Sequence, residues 1–246
     1  MEIFALERYW PSYAAAAVLL QALALGGCDR PADTGARGDG PVASSPVDGN
    51  AIAMPPAPAG PQRLILAFGD SLYAGYGLDR GQSLPDAVQA RLRRDGINAT
   101  IVNAGVSGDT TAAGRQRLGF VLDNLPRKPD LVLLGLGGND VLRQLPAAET
   151  RANMTAMLDE LHKRGLPVVL TGMKAPPNLG TAYVTAFDRI WPDLAKRDQA
   201  GLYPFVLDGV IGDPKLMQAD RVHPNRAGVA RIADRVTPLV AERLAP

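Results

Sequence analysis

From residue 63 onward the chain alternates short apolar runs with longer stretches of helical periodicity, and this restricts its possible folds more than any other feature. Leu64–Phe68, Ala99–Val102, Leu131–Leu134 and Pro167–Leu170 read as buried strands. Tyr203–Leu207 is a weaker fifth. Pro204 cannot donate to a ladder, so this strand either begins after it or lies at an edge. Helices are predicted near 84–95, 110–124, 147–164, 181–198 and 225–243. In the first of them Leu84, Val88 and Leu92 recur at helical spacing. Strand and helix in alternation predict an α/β fold, a parallel sheet covered by helices on both faces. Ligands of such sheets bind beyond the carboxyl ends of the strands, which directs attention to the segment after each one.

Gly69-Asp70-Ser71-Leu72 follows the first strand. Its glycine permits a tight turn and leaves room for a substrate beside Ser71, although a serine here also fits a helix cap. Asn103 through Thr110 follow the second strand. The small residues expose backbone N–H groups, which makes Gly108 a candidate oxyanion donor, with Asp109 or Thr110 as the cap of the next helix. Gly137-Gly138-Asn139-Asp140 follows the third strand. It presents the Asn139 amide as a donor or forms an ordinary Gly-Asn turn. Before the last helix, Asp220 precedes His223 by three residues, close enough for the carboxylate to bond the imidazole and hold its tautomer. Each segment alone has a bland explanation. Together they supply nucleophile, oxyanion donors, base and orienter, the parts of an acyl-transfer site.

Composition narrows the alternatives. The 26 basic and 25 acidic residues leave a formal charge of +1, against the basic excess expected of a nucleic-acid binder. The domain itself, without the first 62 residues, carries 23 basic and 19 acidic residues, scattered as in Arg91-Leu92-Arg93-Arg94 and read as solvated helix faces. Cys28 is the single cysteine, which excludes an intrachain disulfide and a CxxC knuckle. There are only two histidines, so no His-rich metal site is expected. His162 sits beside Lys163 and Arg164 in a helical stretch and reads as solvated, which leaves His223 as the candidate base.

The residues before 63 read differently. Tyr13–Leu25 is apolar except for Gln21 and is too short to span a bilayer, which takes about 20 residues. It fits the core of a secretory signal over 1–27, although the flanking Glu2 and Glu7 outweigh Arg8 where positive charge is usual. The signal ends in Leu25-Gly26-Gly27-Cys28, which resembles a lipobox with Cys28 as the lipidated residue. The other reading is a secreted protein with an incidental Cys28. Residues 28–62 are expected to be a disordered tether, because 29–62 contain seven prolines and five glycines and only three Val, Ile, Leu or Phe residues. The expectation is an exported, periplasmic lipoprotein held to a membrane through Cys28.

The domain resembles an SGNH hydrolase of the GDSL type. Gly69 through Leu72, Gly108, Gly138 through Asp140, and Asp220 through His223 correspond to its sequence blocks. The match extends through Tyr76, Thr111 and Arg143, and through Met173–Gly180, toward the bacterial arylesterase, acyl-CoA thioesterase and lysophospholipase group. The resemblance covers 63–246 and none of 1–62. It implies a three-layer, flavodoxin-like α/β/α fold with a five-stranded parallel sheet. It also implies a serine esterase working through an acyl-enzyme, with no metal or organic cofactor. Ser71, His223 and Asp220 would be nucleophile, base and orienter, and the oxyanion hole would be Ser71 N–H, Gly108 N–H and the Asn139 amide. Met173, Lys174 and Pro176 would line the acyl groove, a segment that also fits a loop that merely packs. The implied substrate is a small lipophilic ester or a lysophospholipid. A carbohydrate O-acetyl esterase and an inactive membrane-tethered binding module are the competing readings.

Overall fold

The computed structural model describes residues 54–245. The expected signal, Cys28 and the tether up to residue 53 lie outside the described residues. Residues 54–62, expected to belong to the tether, lie against the domain. Arg93 Nη1 donates to the Pro55 carbonyl (3.1 Å), Asn98 Nδ2 to that of Gly60 (3.0 Å) and Arg127 Nη2 to that of Gln62 (2.9 Å).

Five strands form one parallel sheet: β1 (Arg63–Gly69), β2 (Ala99–Gly105), β3 (Leu131–Gly135), β4 (Val168–Thr171) and β5 (Gly201–Tyr203). Their order is β2-β1-β3-β4-β5. This is the flavodoxin-like arrangement, and its topological switch point lies between β1 and β3. Buried Ile65 pairs across the sheet with Ile101 and Leu131, so the central strands are apolar on both faces.

The first four strands form where the apolar runs predict them. The fifth ends at Tyr203, at the sheet edge, so the reading that starts it after Pro204 is wrong. Pro204 has no N–H for the ladder, and Phe205–Leu207 leave the sheet.

Helices α2 (Leu84–Arg94) and α8 (Arg226–Leu244) pack together on one face, joined by Arg91 Nε to Asp234 Oδ1 at 2.5 Å. Ser83 starts α2 with a capping box to Asp86. Right-handed crossovers place α3 (Thr111–Asp123) and α5 (Ala147–Lys163) on the other face, where they meet.

The predicted helix over 181–198 is two helices, α6 (Thr181–Asp188) and α7 (Ile190–Asp198). In a continuous helix the Pro192 ring would strike the carbonyl of Asp188, so the chain breaks at Arg189. Pro192 instead sits in the first turn of α7, where its missing N–H has no helical partner to lose.

Two one-turn helices, α1 (Ser71–Ala74) and α4 (Gly138–Leu142), carry the segments after β1 and β3. A row of glycines seats α1. Gly69, Gly105 and Gly135 end three adjacent strands in matched register. A side chain on Gly69 or Gly135 would overlap the Tyr73 ring, and one on Gly105 the backbone at Tyr73 and Ala74. Tyr73 is buried over this floor, and its hydroxyl meets Thr171 Oγ1 on β4 at 2.9 Å.

Candidate active site

The switch point carries the chemistry-bearing residues. Asp70 caps α1, with Oδ1 accepting from Leu72 N at 3.0 Å, which leaves Ser71 as the first residue of that turn. Ser71 Oγ lies 2.9 Å from His223 Nε2, and His223 Nδ1 lies 2.7 Å from Asp220 Oδ2. The Asp220 carboxylate accepts a hydrogen bond from Nδ1–H, so Nε2 is free to accept from the serine hydroxyl. Asp220 Oδ1 also accepts from Val222 N (2.9 Å) and His223 N (3.0 Å). The His223 N–H is the main reason the Asp220 carboxyl is lowered to about 2, helped by the imidazole and Val222 N–H bonds.

Sequence reasoning did not identify the supports of this relay. Tyr76 packs against the His223 ring, tilted by 36°, with centroids 4.5 Å apart. Gln218 Nε2 ties the Tyr76 carbonyl (2.7 Å) to that of Pro224 (3.0 Å), joining the two loops that carry serine and histidine. Tyr76 had one available signal, its position five residues after Ser71 in a matched block. His162, by contrast, is exposed at the end of α5, far along the chain from these loops.

Asn139 lines the same cleft as Ser71, and the loop bearing Gly108 is tied to the helix that carries Asn139. Asn139 is in the first turn of α4, which Gly137 opens at φ +111°, and its Nδ2 donates to the Asp109 carbonyl at 2.9 Å. Its second N–H remains for another acceptor. Gly108, at φ +88°, is linked to the same helix through its own carbonyl, which accepts from Arg143 Nη2 at 2.8 Å. Thr110, rather than Asp109, caps α3. Asp109 instead pairs with Arg117 Nε at 2.6 Å, and Arg117 also donates to the Gly69 carbonyl at 3.0 Å. Buried Asp140 accepts from Thr111 N (2.8 Å), Thr111 Oγ1 (2.5 Å) and Thr150 Oγ1 (3.1 Å), fastening the loops after β2 and β3 to each other.

Ser71, Asn139 and His223 open onto a cleft of about 640 Å³. Met173, Lys174 and Pro176 all line it, as does Ala175, whose N–H donates to Asp188 Oδ1 at 2.8 Å. The far walls come from Val184 on α6 and from Phe205, Leu207 and Ile211 after β5. Asp70 lies in the same cleft, 2% exposed, and burial pushes its carboxyl up to about 6. Among the described residues, no three His, Cys, Asp or Glu side chains gather as a metal-binding group.

A serine hydroxyl bonded to an oriented imidazole, with amide donors alongside and an apolar cleft in front, is equipped to attack an acyl carbonyl. Known proteins agree. Residues 67–231 match the GDSL-like lipase/acylhydrolase family. The chain is 40% identical to esterase TesA of Pseudomonas aeruginosa, across 71% of this chain and 86% of that protein. It is 35% identical to thioesterase 1/protease 1/lysophospholipase L1 of Escherichia coli K12, across 69% and 79%. The crystal structure of AlinE4, an SGNH-hydrolase family esterase, superimposes with a TM-score of 0.65 at 53% identity, across 76% of this chain and all of that one. The chain thus belongs to the GDSL-like lipase/acylhydrolase family and is a serine-type carboxylic ester hydrolase.

Proposed function

We propose that Ser71, His223 and Asp220 hydrolyse esters of lipophilic acyl groups through an acyl-enzyme. Ser71 Oγ attacks the carbonyl carbon while His223 Nε2 takes its proton, and Asp220 stabilises the imidazolium. The carbonyl oxygen becomes an oxyanion held by the Ser71 and Gly108 N–H groups and the free N–H of Asn139. Collapse expels the alcohol, or the thiol of a thioester, which leaves with the proton from His223. Water then repeats the sequence on the acyl-serine and releases the acid.

The observation that carries this reading is the continuous Asp220–His223–Ser71 relay at the mouth of the cleft. The apolar walls suit an acyl chain better than the hydroxyl-rich surface of an acetylated sugar. The E. coli relative's name, thioesterase and lysophospholipase, points to acyl lipids as the substrate class. A lipidated Cys28 and a tether would place the domain at a membrane, outside the cytoplasm, where lysophospholipid is at hand. No helix among the described residues is long and apolar enough to cross a membrane.

The test is Ser71→Ala in the full chain. Turnover of an aryl ester should fall by about 10⁴-fold or more with the thermal transition unchanged, and a serine-reactive phosphonate should label wild type at Ser71 only. Near-normal turnover by the folded variant would sink the assignment. A wild type that resists the phosphonate would favour an inactive binding module.

A further inference from the structure

Gly108 has little packing to hold it. A Cβ built there meets only the Arg143 guanidinium, at 3.7 Å. Glycine visits both signs of φ almost equally, so an unpacked glycine has no conformation of its own to keep. An oxyanion donor helps only if it is aimed before the reaction begins. The turn's own bond, Asp109 N–H to the Val106 carbonyl at 3.2 Å, is long, so a further restraint besides packing helps to select the +88° conformer seen here.

Arg143 is placed to do so. It ends α4, the helix that bears Asn139, and its Nη2 donates to the Gly108 carbonyl at 2.8 Å. Asn139 takes the next carbonyl, Asp109, at 2.9 Å. Two successive carbonyls of the loop are thus held from one turn of helix. Arg143 has no carboxylate partner among the described residues, so its charge is not neutralised by an ion pair. The chain also bends sharply just beyond it. Gln144 takes φ +53°, and Leu145 N returns to the Asp140 carbonyl at 2.9 Å, which secures the end of the turn.

We infer that Arg143 is a positioning residue for the oxyanion hole: by holding the Gly108 carbonyl it fixes the direction of the Gly108 N–H relative to the Asn139 amide. The N–H is joined to that carbonyl only through the φ and ψ of one residue, so holding the carbonyl narrows the directions in which the N–H can point. The inference rests on the proposed acyl-enzyme reaction, and it concerns the transition state rather than ground-state binding. Loss of Arg143 would therefore slow acylation without changing how substrate sits in the cleft.

The experiment compares the full-length wild type, Arg143→Ala and Arg143→Lys on a soluble aryl butyrate and in phosphonate labelling. Arg143→Ala should lose about 10- to 100-fold in kcat and in labelling rate, with KM within about twofold. Its kcat/KM against pH should keep the wild-type midpoint, because the guanidinium does not touch the relay. Arg143→Lys, or millimolar guanidinium ion added to Arg143→Ala, should restore part of the rate. Unchanged kcat, a loss confined to KM, a shifted pH midpoint, or a lost kcat that neither treatment restores would each overturn the inference. Should Arg143→Ala not fold, Arg143→Lys against wild type carries the same comparison of kcat, KM and pH midpoint. A wild type that is itself unlabelled and inactive would refute the acyl-enzyme reading instead, so the two failures are distinguishable.

Discussion

Asp220 grips His223 twice: Oδ2 holds the ring at Nδ1 (2.7 Å) while Oδ1 holds the same residue's backbone N–H (3.0 Å). One carboxylate therefore sets both the position of the imidazole along the loop and the tautomer it presents to Ser71.

Asp220→Asn should break the second function while largely keeping the first. An amide oxygen can still accept from the backbone, but the charge that stabilises the imidazolium is gone, and kcat should fall by about 10³- to 10⁴-fold. The same variant has a stability signature. The carboxyl is lowered to about 2, so its contribution is present above the unfolded value near 4 and is lost as pH falls through about 2. The gap in thermal midpoint between wild type and variant should narrow over that window. A constant gap would contradict it.

Asp70 should behave in the opposite sense. Its carboxyl is raised to about 6 by burial, so the neutral form is the one the fold accommodates. That contribution is complete below the unfolded value near 4 and is lost as pH rises through about 6. Asp70→Asn keeps an acceptor for Leu72 N and removes the buried charge. It should raise the thermal midpoint near pH 8, by a stabilisation of about 3 kcal/mol at the upper limit, and leave it unchanged near pH 4. An equal rise at both pH values would show that charge is not the cause.

Gly135→Ala tests the glycine floor. The added methyl would meet Thr171 Oγ1 and the Tyr73 ring, both buried and bonded to each other, so neither yields easily. A loss of about 2–3 kcal/mol, or roughly 5–10 °C in the thermal midpoint, is expected. An unchanged midpoint in a scanning calorimeter would mean that the floor accommodates a side chain.

The cleft wall should set acyl length. Val184→Trp fills space between α6 and the segment after β5. Hydrolysis of an octanoyl aryl ester should drop by about tenfold or more relative to wild type, with the acetyl ester within about twofold, since each methylene displaced from the wall forgoes about 0.8 kcal/mol. Parallel losses on both esters would place the acyl chain elsewhere.

Much of the fold is legible in the sequence. The four apolar runs and the long periodic helices carry their own signals, because burial on both sheet faces and on one helix face leaves different periods. The segments bearing Ser71, Gly108, Asn139, Asp220 and His223 stand out in the sequence because each follows a strand or precedes the last helix. The misreadings have local causes. Pro192 was a visible breaker of the 181–198 helix, and Pro204 was a visible stop for β5. One-turn helices such as α1 and α4 are too short to show any periodicity. Met173, Lys174 and Pro176 are legible in the sequence, whereas the clamp of Arg143 on Gly108 and the far cleft walls at Val184, Phe205, Leu207 and Ile211 are not. They join residues 35 positions apart or more, and only the folded sheet determines which loops meet.

The glycine floor has a consequence for how the enzyme fails. Ser71 rides on a turn laid across the ends of the central strands, with Tyr73 bolted down to β4, so the nucleophile belongs to the part of the molecule that opens last. His223 and Asp220 lie on a loop closed by the bridge between Met217 and Pro224 and by hydrogen bonds from Gln218 and Asn225. Warming is therefore expected to separate the two halves of the relay before it melts the sheet. Activity should then be lost below the calorimetric transition and return on cooling, because only a loop has to re-dock onto the serine.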